Sequence, residues 1–414
     1  MLFVYRLAIQ LYHWGIQLAA FFSPKAQMWV AGRKGIWERL NKIAKDQDII
    51  WIHCASLGEF EQGRPLIESL KKQYPQCKIF LSFFSPSGYE IRKNYPLADY
   101  VDYLPVDTKR NAEKWIECLQ PRLVVFVKYE FWYYYLATLH HKGIPCFLIS
   151  AIFRSDQSFF KPYGGLFRKM LFHFKHIFVQ NERSAKLLRD IGIKNLTISG
   201  DTRIDRVLEI PRHAKTFPLV ANFAEGHPVV VLGSTWEADE KVFLPILNNN
   251  AATSTKFIIA PHEINPTKIT ALESQLRLKV CRYSQAQPAT IADYQVLIID
   301  NIGMLSALYQ YGQIAYIGGG FGKGIHNTLE PIAFGLPVIF GPKYEKFEEA
   351  IRLIERQAAF SIKQSEDLVE RLAWLRKPEN YRAASEQAKL FLQENQGATQ
   401  QIMLEIQATL ERPR

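Results

Sequence analysis

The residues best able to do chemistry crowd into one glycine-dense run. It reads Gly318, Gly319, Gly320, Phe321, Gly322, Lys323, Gly324, Ile325, His326, Asn327, Thr328, Leu329, Glu330, and further glycines follow at Gly335 and Gly341. Glycines packed this closely behind an apolar β-rich run let backbone amides approach an anion. The spacing is not that of the dinucleotide-binding GxGxxG turn, and the acidic residue comes on the following helix instead. Glu330, about one turn into that helix, is placed to accept hydrogen bonds from ribose hydroxyls. A second candidate is Leu232 to Glu237, where Ser234 and Thr235 stand at a strand-to-helix turn. Free N–H groups and two hydroxyls there can hold a phosphate, although both residues are also common helix caps. A third is Ser56, Leu57, Gly58, Glu59, another strand-to-helix turn, from which Glu59 can act as a general base. The helix dipole would keep that carboxylate ionised, and a purely structural helix-start glutamate fits the same position.

The elements that must position these groups follow from the hydrophobic pattern. Near-continuous apolar runs at 48–55, 78–84, 122–127, 145–150, 176–180 and 196–200 alternate with amphipathic stretches such as 63–74, 112–119 and 182–191. Runs apolar on both faces mark strands covered on both sides, and the alternation implies a parallel sheet. The pattern lapses between Pro211 and Pro228 and restarts at 229–233, 257–261, 278–282, 296–300, 314–318 and 337–340. The lapse reads as an interdomain linker. The expected fold is α/β, with two Rossmann-like domains facing a central cleft. Ligands belong at the carboxyl ends of such strands. The expected domains are residues 46–212 and 213–414, the last helix being free to pack back on the first domain.

Residues 1–45 read as a membrane-associated segment. The first 22 residues are apolar except for a helical stripe of Arg6, Gln10, His13 and Gln17. Lys25, Arg33, Lys34, Arg39, Lys42 and Lys45 then alternate with Trp29, Ile36, Trp37, Leu40 and Ile43, a mixture suited to an anionic bilayer surface. The net charge of +11 favours an anionic partner, either acidic lipid or a phosphorylated small molecule. No zinc-finger spacing or RNP-like aromatic signature supports nucleic acid, which is not expected as a partner. Five scattered cysteines without CxxC spacing point to buried thiols in a reducing compartment. No His/Asp/Cys constellation suggests a metal or other cofactor.

Taken in order, these segments resemble the Kdo (3-deoxy-D-manno-octulosonic acid) transferases of lipopolysaccharide biosynthesis, which have the GT-B fold. The resemblance rests on WIHCASLGE (51–59), KYEFW (128–132), SGDTRID (199–205), GSTWEADE (233–240), DNIGML (300–305) and the block 318–342. It implies an inverting, metal-independent glycosyltransferase that moves Kdo from CMP-Kdo to a phosphorylated lipid A precursor at the cytoplasmic face of the inner membrane. It further implies Glu59 as catalytic base and Ser56, Gly58 and Glu130 as acceptor-site residues. Lys161, in a basic and aromatic run, is a separate candidate for contact with the lipid. Ser234, Thr235, His262, Gly319, Gly320, Lys323, His326, Asn327 and Glu330 are the donor-site candidates. The chain departs from the family pattern at Ala260, Pro261, His262, Glu263, where a Pro-Arg-His triplet is usual; Lys323 or Lys343 is the candidate substitute for that arginine. A sugar-nucleotide epimerase of the same fold and a non-catalytic nucleotide-sugar binder are the rival readings.

Overall fold

The computed structural model describes residues 1–249 and 254–411. Its backbone divides into two compact units, one of Met1–Asp205 together with the segment from Gln396 onward, the other of Arg206–Asn395. Each unit holds one seven-stranded sheet in which every paired neighbour runs parallel.

The first sheet comprises β1 (Ile49–Cys54), β2 (Lys78–Phe83), β3 (Tyr100–Tyr103), β4 (Leu123–Val127), β5 (Cys146–Ala151), β6 (His176–Val179) and β7 (Leu196–Ile198), in spatial order 3-2-1-4-5-6-7. All residues of β1, β4 and β5 are buried, as both-face coverage by helices requires. Trp51 anchors one face, its ring 5.6 Å from Trp115, 5.4 Å from Phe126 and 5.8 Å from Tyr135. On the other face Ile402, Met403 and Ile406 of the last helix, Ala398–Leu410, join the same cluster as Phe60, Leu66 and Leu70 of the helix Leu57–Gln73.

The second sheet comprises β8 (Val229–Thr235), β9 (Lys256–Pro261), β10 (Val280–Arg282), β11 (Val296–Ile298), β12 (Ile314–Ile317), β13 (Val338–Phe340) and β14 (Ala359–Ser361), in order 10-11-9-8-12-13-14. Strand order reverses between β1 and β4 in the first sheet and between β8 and β12 in the second. Such switch points open a crevice at the carboxyl ends of each sheet; Glu59, Glu130 and Gly318 follow β1, β4 and β12, and Ser234 is the penultimate residue of β8.

Three features differ from the sequence reading. Strands β3 and β14 were not expected; both are short and lie at sheet edges, where the apolar signal is weakest. The segment taken as a linker contains the helix Pro218–Ala224, with Val220 and Phe223 fully buried. The apolar residues of the basic segment turn inward: Trp29, Ile36, Leu40 and Ile43 are core, not bilayer contacts. Arg33 is drawn in with them. Its guanidinium lies 3.7 Å from the Trp29 ring centre and donates to the carbonyls of Trp29, Phe84 and Leu104.

The first helix, Leu2–Ala19, behaves otherwise, since none of its residues is fully buried. Tyr5, Ile9, Tyr12 and Ile16 face the first unit, while Phe3, Trp14 and Leu18, with Phe21 and Phe22 just beyond the helix, are between 61% and 85% exposed. Among the described residues no helix is long and apolar enough to cross a membrane. Ile406 supplies a test of the returning C-terminal helix. Ile406→Ala is expected to cost about 2–4 kcal/mol, read as a lower urea midpoint, with amide exchange rising in the helix Leu57–Gln73 and unchanged in β8 and β12.

Candidate functional site

Glu59 sits in the first turn of the helix Leu57–Gln73, directly beyond β1. Ser56 caps that helix, and the two residues form a reciprocal capping box in which the Ser56 N–H donates to Glu59 Oε2 at 2.9 Å. The sequence therefore does give Glu59 a structural task. It also gives it an unusual environment. Burial first, and the charge of Glu130 second, push its carboxyl up to about 7, against smaller opposing effects of the Ser56 N–H and Lys128. A carboxyl titrating there is half ionised near neutrality, which suits a general base.

Glu130 is buried, not open to solvent. Its Oε2 accepts from His53 Nε2 at 2.8 Å and from Trp132 Nε1 at 2.5 Å. Around the same strand ends, Asp201 is buried against the Arg203 guanidinium, at 2.6 Å from Nη2, which holds its carboxyl below the usual range. Lys128 has φ of 67°, a left-handed conformation that a side-chain-bearing residue seldom adopts and that concentrates at functional sites. Its ammonium lies 5.3 Å from the centre of the Tyr129 ring. Gly58 is exposed in the first helical turn. Lys161 lies in the turn after Ser158–Phe160, its carbonyl bonded by Arg168 Nη1 at 2.9 Å, and neighbouring Phe159 is core.

In the second unit the glycine-dense run and the β8 turn are built against each other. The pivot is Asp239, fully buried: its Oδ2 accepts from the N–H groups of Gly319 (2.9 Å) and Trp236 (3.0 Å), and its Oδ1 accepts from Tyr316 Oη (2.8 Å). A methyl group at Gly318 would lie 2.2 Å from the Ser234 carbonyl oxygen, and one at Gly320 would lie 2.6 Å from the Gly341 nitrogen. These glycines are required by backbone packing. The N–H groups of Gly318 and Gly319 are donated to Gly233 and Asp239, so the anion-cradle reading does not extend to those two amides.

The donor-site candidates otherwise gather. Trp236 Nε1 donates to His326 Nε2 at 2.9 Å, and His262 stacks over both rings, at 4.6 Å from Trp236 and 4.2 Å from His326. Burial, then His262, hold His326 down to about 4, consistent with its role as acceptor. Thr235 is buried, and Asn327 Nδ2 donates to Glu330 Oε1 at 3.0 Å. Lys323 is exposed at the loop tip, and Lys343 Nζ closes that loop by donating to the Gly322 carbonyl at 2.7 Å. Among the described residues no group of three or more His, Cys, Asp or Glu is arranged to hold a metal.

Residue-by-residue reading assigned no role to His53, Asp201, Trp236 or Asp239, although all four stand inside the quoted motifs. The available signal was a polar residue within an otherwise apolar strand for His53, and a place within four residues of a strand end for Asp201, Trp236 and Asp239.

Comparisons with known proteins bear on the family and the fold. A family model described as "3-Deoxy-D-manno-octulosonic-acid transferase (kdotransferase)" matches residues 34–206. The chain is 27% identical over 361 residues to a 3-deoxy-D-manno-octulosonic acid transferase of Rickettsia felis, covering 84% of this chain and 77% of that one. Against the Haemophilus influenzae enzyme of the same name it is 27% identical, covering 96% and 95%. Among solved structures, UDP-GlcNAc 2-epimerase from Neisseria meningitidis bound to UDP-GlcNAc matches with a TM-score of 0.62 at 16% identity, covering 88% of this chain and 99% of that one. The calicheamicin glycosyltransferase CalG4 matches with a TM-score of 0.55 at 12% identity, covering 89% and 99%. These two likenesses speak for a GT-B-like fold alone.

The Asp239 pivot yields a prediction. Asp239→Ala strips three donors of their acceptor and is expected to cost about 3 kcal/mol or more. Chemical denaturation should show the loss, and amide exchange at Gly319 should accelerate beyond what the global destabilisation explains.

Proposed function

We propose, since the chain belongs to the 3-deoxy-D-manno-octulosonic-acid (Kdo) transferase family, that it transfers Kdo from CMP-Kdo to the phosphorylated lipid A precursor, lipid IVA. Glycosyl transfer is the family's chemistry. The donor, the acceptor and the stereochemical course are the proposal. The observation that carries it is Glu59, a half-buried carboxyl with raised proton affinity at the switch point of the first sheet.

In this reading Glu59 accepts the proton of an acceptor hydroxyl as that oxygen attacks the anomeric carbon. The C–O bond to the CMP phosphate breaks on the opposite face, which inverts the centre, and the phosphate leaves with the bonding pair. One base suffices for a single displacement. The second unit holds the nucleotide: Asn327 orients Glu330 for the ribose hydroxyls, and Ser234, Thr235 and Gly320 receive the phosphate. Donors set beforehand where negative charge grows can stabilise the leaving group without a metal ion. Ser56, Gly58, Glu130 and Lys161 are proposed on the acceptor side, Glu130 acting from a buried position.

The lipid acceptor calls for a membrane surface. The exposed apolar arc of Phe3, Trp14, Leu18, Phe21 and Phe22 supports an interfacial attachment at the cytoplasmic face of the inner membrane, in which the first helix lies in the headgroup region. The rival epimerase reading shares the fold of UDP-GlcNAc 2-epimerase, but it has no use for such an arc.

Purified protein, CMP-Kdo and lipid IVA in mixed micelles, with product mass as readout, form the central test. Glu59→Ala is expected to lower kcat by about 10²–10⁴ while CMP-Kdo still binds; near-wild-type turnover would remove its assigned role. An epimerised or hydrolysed sugar without a heavier lipid would reject transfer. The raised Glu59 carboxyl also fixes the sign of the pH response. Below about 7 it is protonated and cannot accept a proton, so kcat should fall as pH drops through that value. Chelation with EDTA is expected to leave turnover unchanged.

A further inference from the structure

Behind Glu59 lies a line of buried polar side chains that the scheme above leaves without a task. Trp51, His53 and Ser82 have no exposed surface, and Glu130 has 6%. Trp51 Nε1 donates to Ser82 Oγ at 2.7 Å; Ser82 Oγ lies 2.8 Å from His53 Nδ1; His53 Nε2 lies 2.8 Å from Glu130 Oε2; and Trp132 Nε1 donates to that same oxygen at 2.5 Å. The Glu130 carboxylate can only accept, so His53 Nε2 is the donor to it, and in a neutral imidazole Nδ1 is then an acceptor. Ser82 accepts from Trp51 and gives its own proton to His53 Nδ1.

Burying polar groups this deep inside a sheet carries a desolvation cost, and an apolar residue in place of His53 would avoid it. The chain is completely satisfied and ends on a carboxylate whose charge bears on Glu59. His53 is the fifth residue of β1, and Phe126, its register partner, lies four residues before Glu130, so both arms issue from the switch point that presents Glu59.

We infer that His53 and Glu130 are positioning residues for proton transfer: the chain from Trp51 to Trp132 fixes a negative charge behind Glu59, and that charge makes Glu59 a stronger base. The inference rests on the reading of Glu59 as the base. It gives Glu130 a task other than touching the acceptor. The groups that bear on Glu59 are Glu130 and Lys128 from the end of β4, Ser56 from its own turn and Cys54 from β1. Those that bear on Glu130 are His53 and Cys54 from β1, Trp132 from its own segment and Tyr12 from the first helix. Lys128 opposes Glu130 at Glu59, and the effect of Glu130 is the larger of the two.

The test compares pH–rate profiles of the full-length protein with those of Glu130→Gln, His53→Phe, His53→Gln and Glu59→Ala. Glu130→Gln keeps shape and removes charge. Its acidic limb should move about one pH unit lower, with a plateau reduced about tenfold by the weaker base. His53→Phe should shift the limb the same way, because a buried carboxylate stripped of a donor gives up its charge. His53→Gln, whose amide can donate to Glu130 and accept from Ser82, should restore part of the wild-type position. A merely structural role would lower activity or stability and leave the limb in place. Titration of the Glu59 carboxyl by carbon-13 NMR in wild type and Glu130→Gln gives the same answer without turnover, should a His53 variant fail to fold. An unmoved limb and an unmoved titration in folded Glu130→Gln would overturn the inference while an inactive Glu59→Ala preserves the base. An active Glu59→Ala would overturn the base assignment itself.

Discussion

A carboxylate removed from water must be given hydrogen-bond donors, and that constraint organises both units of this chain. Asp107 accepts from Tyr5 Oη and from the N–H groups of Tyr134 and Tyr135, tying the first helix to the start of Tyr133–His141. Asp205 accepts from the N–H groups of Gly397 and Thr399 and so fixes the start of the returning C-terminal helix. Asp239 joins the β8 turn to the glycine-dense run, and Glu130 joins β1 to the segment beyond β4. Asp107, Asp239 and Glu130 are buried, unlike the carboxylate of a surface ion pair, whose worth would be small. Each binds two segments distant in sequence, and each would leave several donors stranded if removed. The candidate chemistry is therefore mounted on the same interactions that hold the fold.

The second constraint is close approach of backbones. Ser234, at φ 54°, interrupts the pairing of β8 with β9, and its carbonyl faces Gly318 at a distance that excludes any side chain. Gly320 and Gly341 exclude one another's side chains in the same way. The glycine density that suggests an anion cradle thus has a prior cause: three loops must pass within contact of one another before any ligand arrives. Lys128 at φ 67°, just beyond β4, and Ser150 at φ 53°, inside β5 where its pairing with β6 shifts register, adopt the same left-handed conformation. Non-glycine residues held there carry strain, which the surrounding packing must over-determine.

How much of this was legible depended on whether the cause was local. The central strands announce themselves as apolar runs because both faces are buried; β3 and β14, at sheet edges, leave no such run. Ser56 and Glu59 stand three apart at a helix start, so their capping relation can be read directly. His53 gives only one hint, a lone polar side chain inside Ile49–Cys54, and its partners Ser82 and Glu130 lie 29 and 77 residues away. The inward turn of Trp29, Ile36 and Leu40 was equally hidden. A basic and aromatic mixture suits a membrane surface and a cation–π core alike, and only the position of Phe84 and Tyr103 beneath Arg33 decides between them.

The first helix shows how the two halves of the proposed task meet in one structure. Its outward arc of large apolar side chains gains nothing from the first unit, and at roughly 25 cal/mol per Å² of apolar surface a bilayer interface would stabilise it by several kcal/mol. Its inward face stays occupied throughout. Tyr12 stacks on Phe84, whose ring lies 4.7 Å from Trp132, and Trp132 is the second donor to Glu130. In the proposed interfacial attachment the helix would rest on the membrane through one face and support, through the other, the side chain that helps fix the charge behind Glu59. The proposed attachment would require no rearrangement of that support, because the two faces of the helix are separate. Tyr5 donates to the buried Asp107 and Tyr12 stacks on Phe84, so both rings belong to the inward face of the helix.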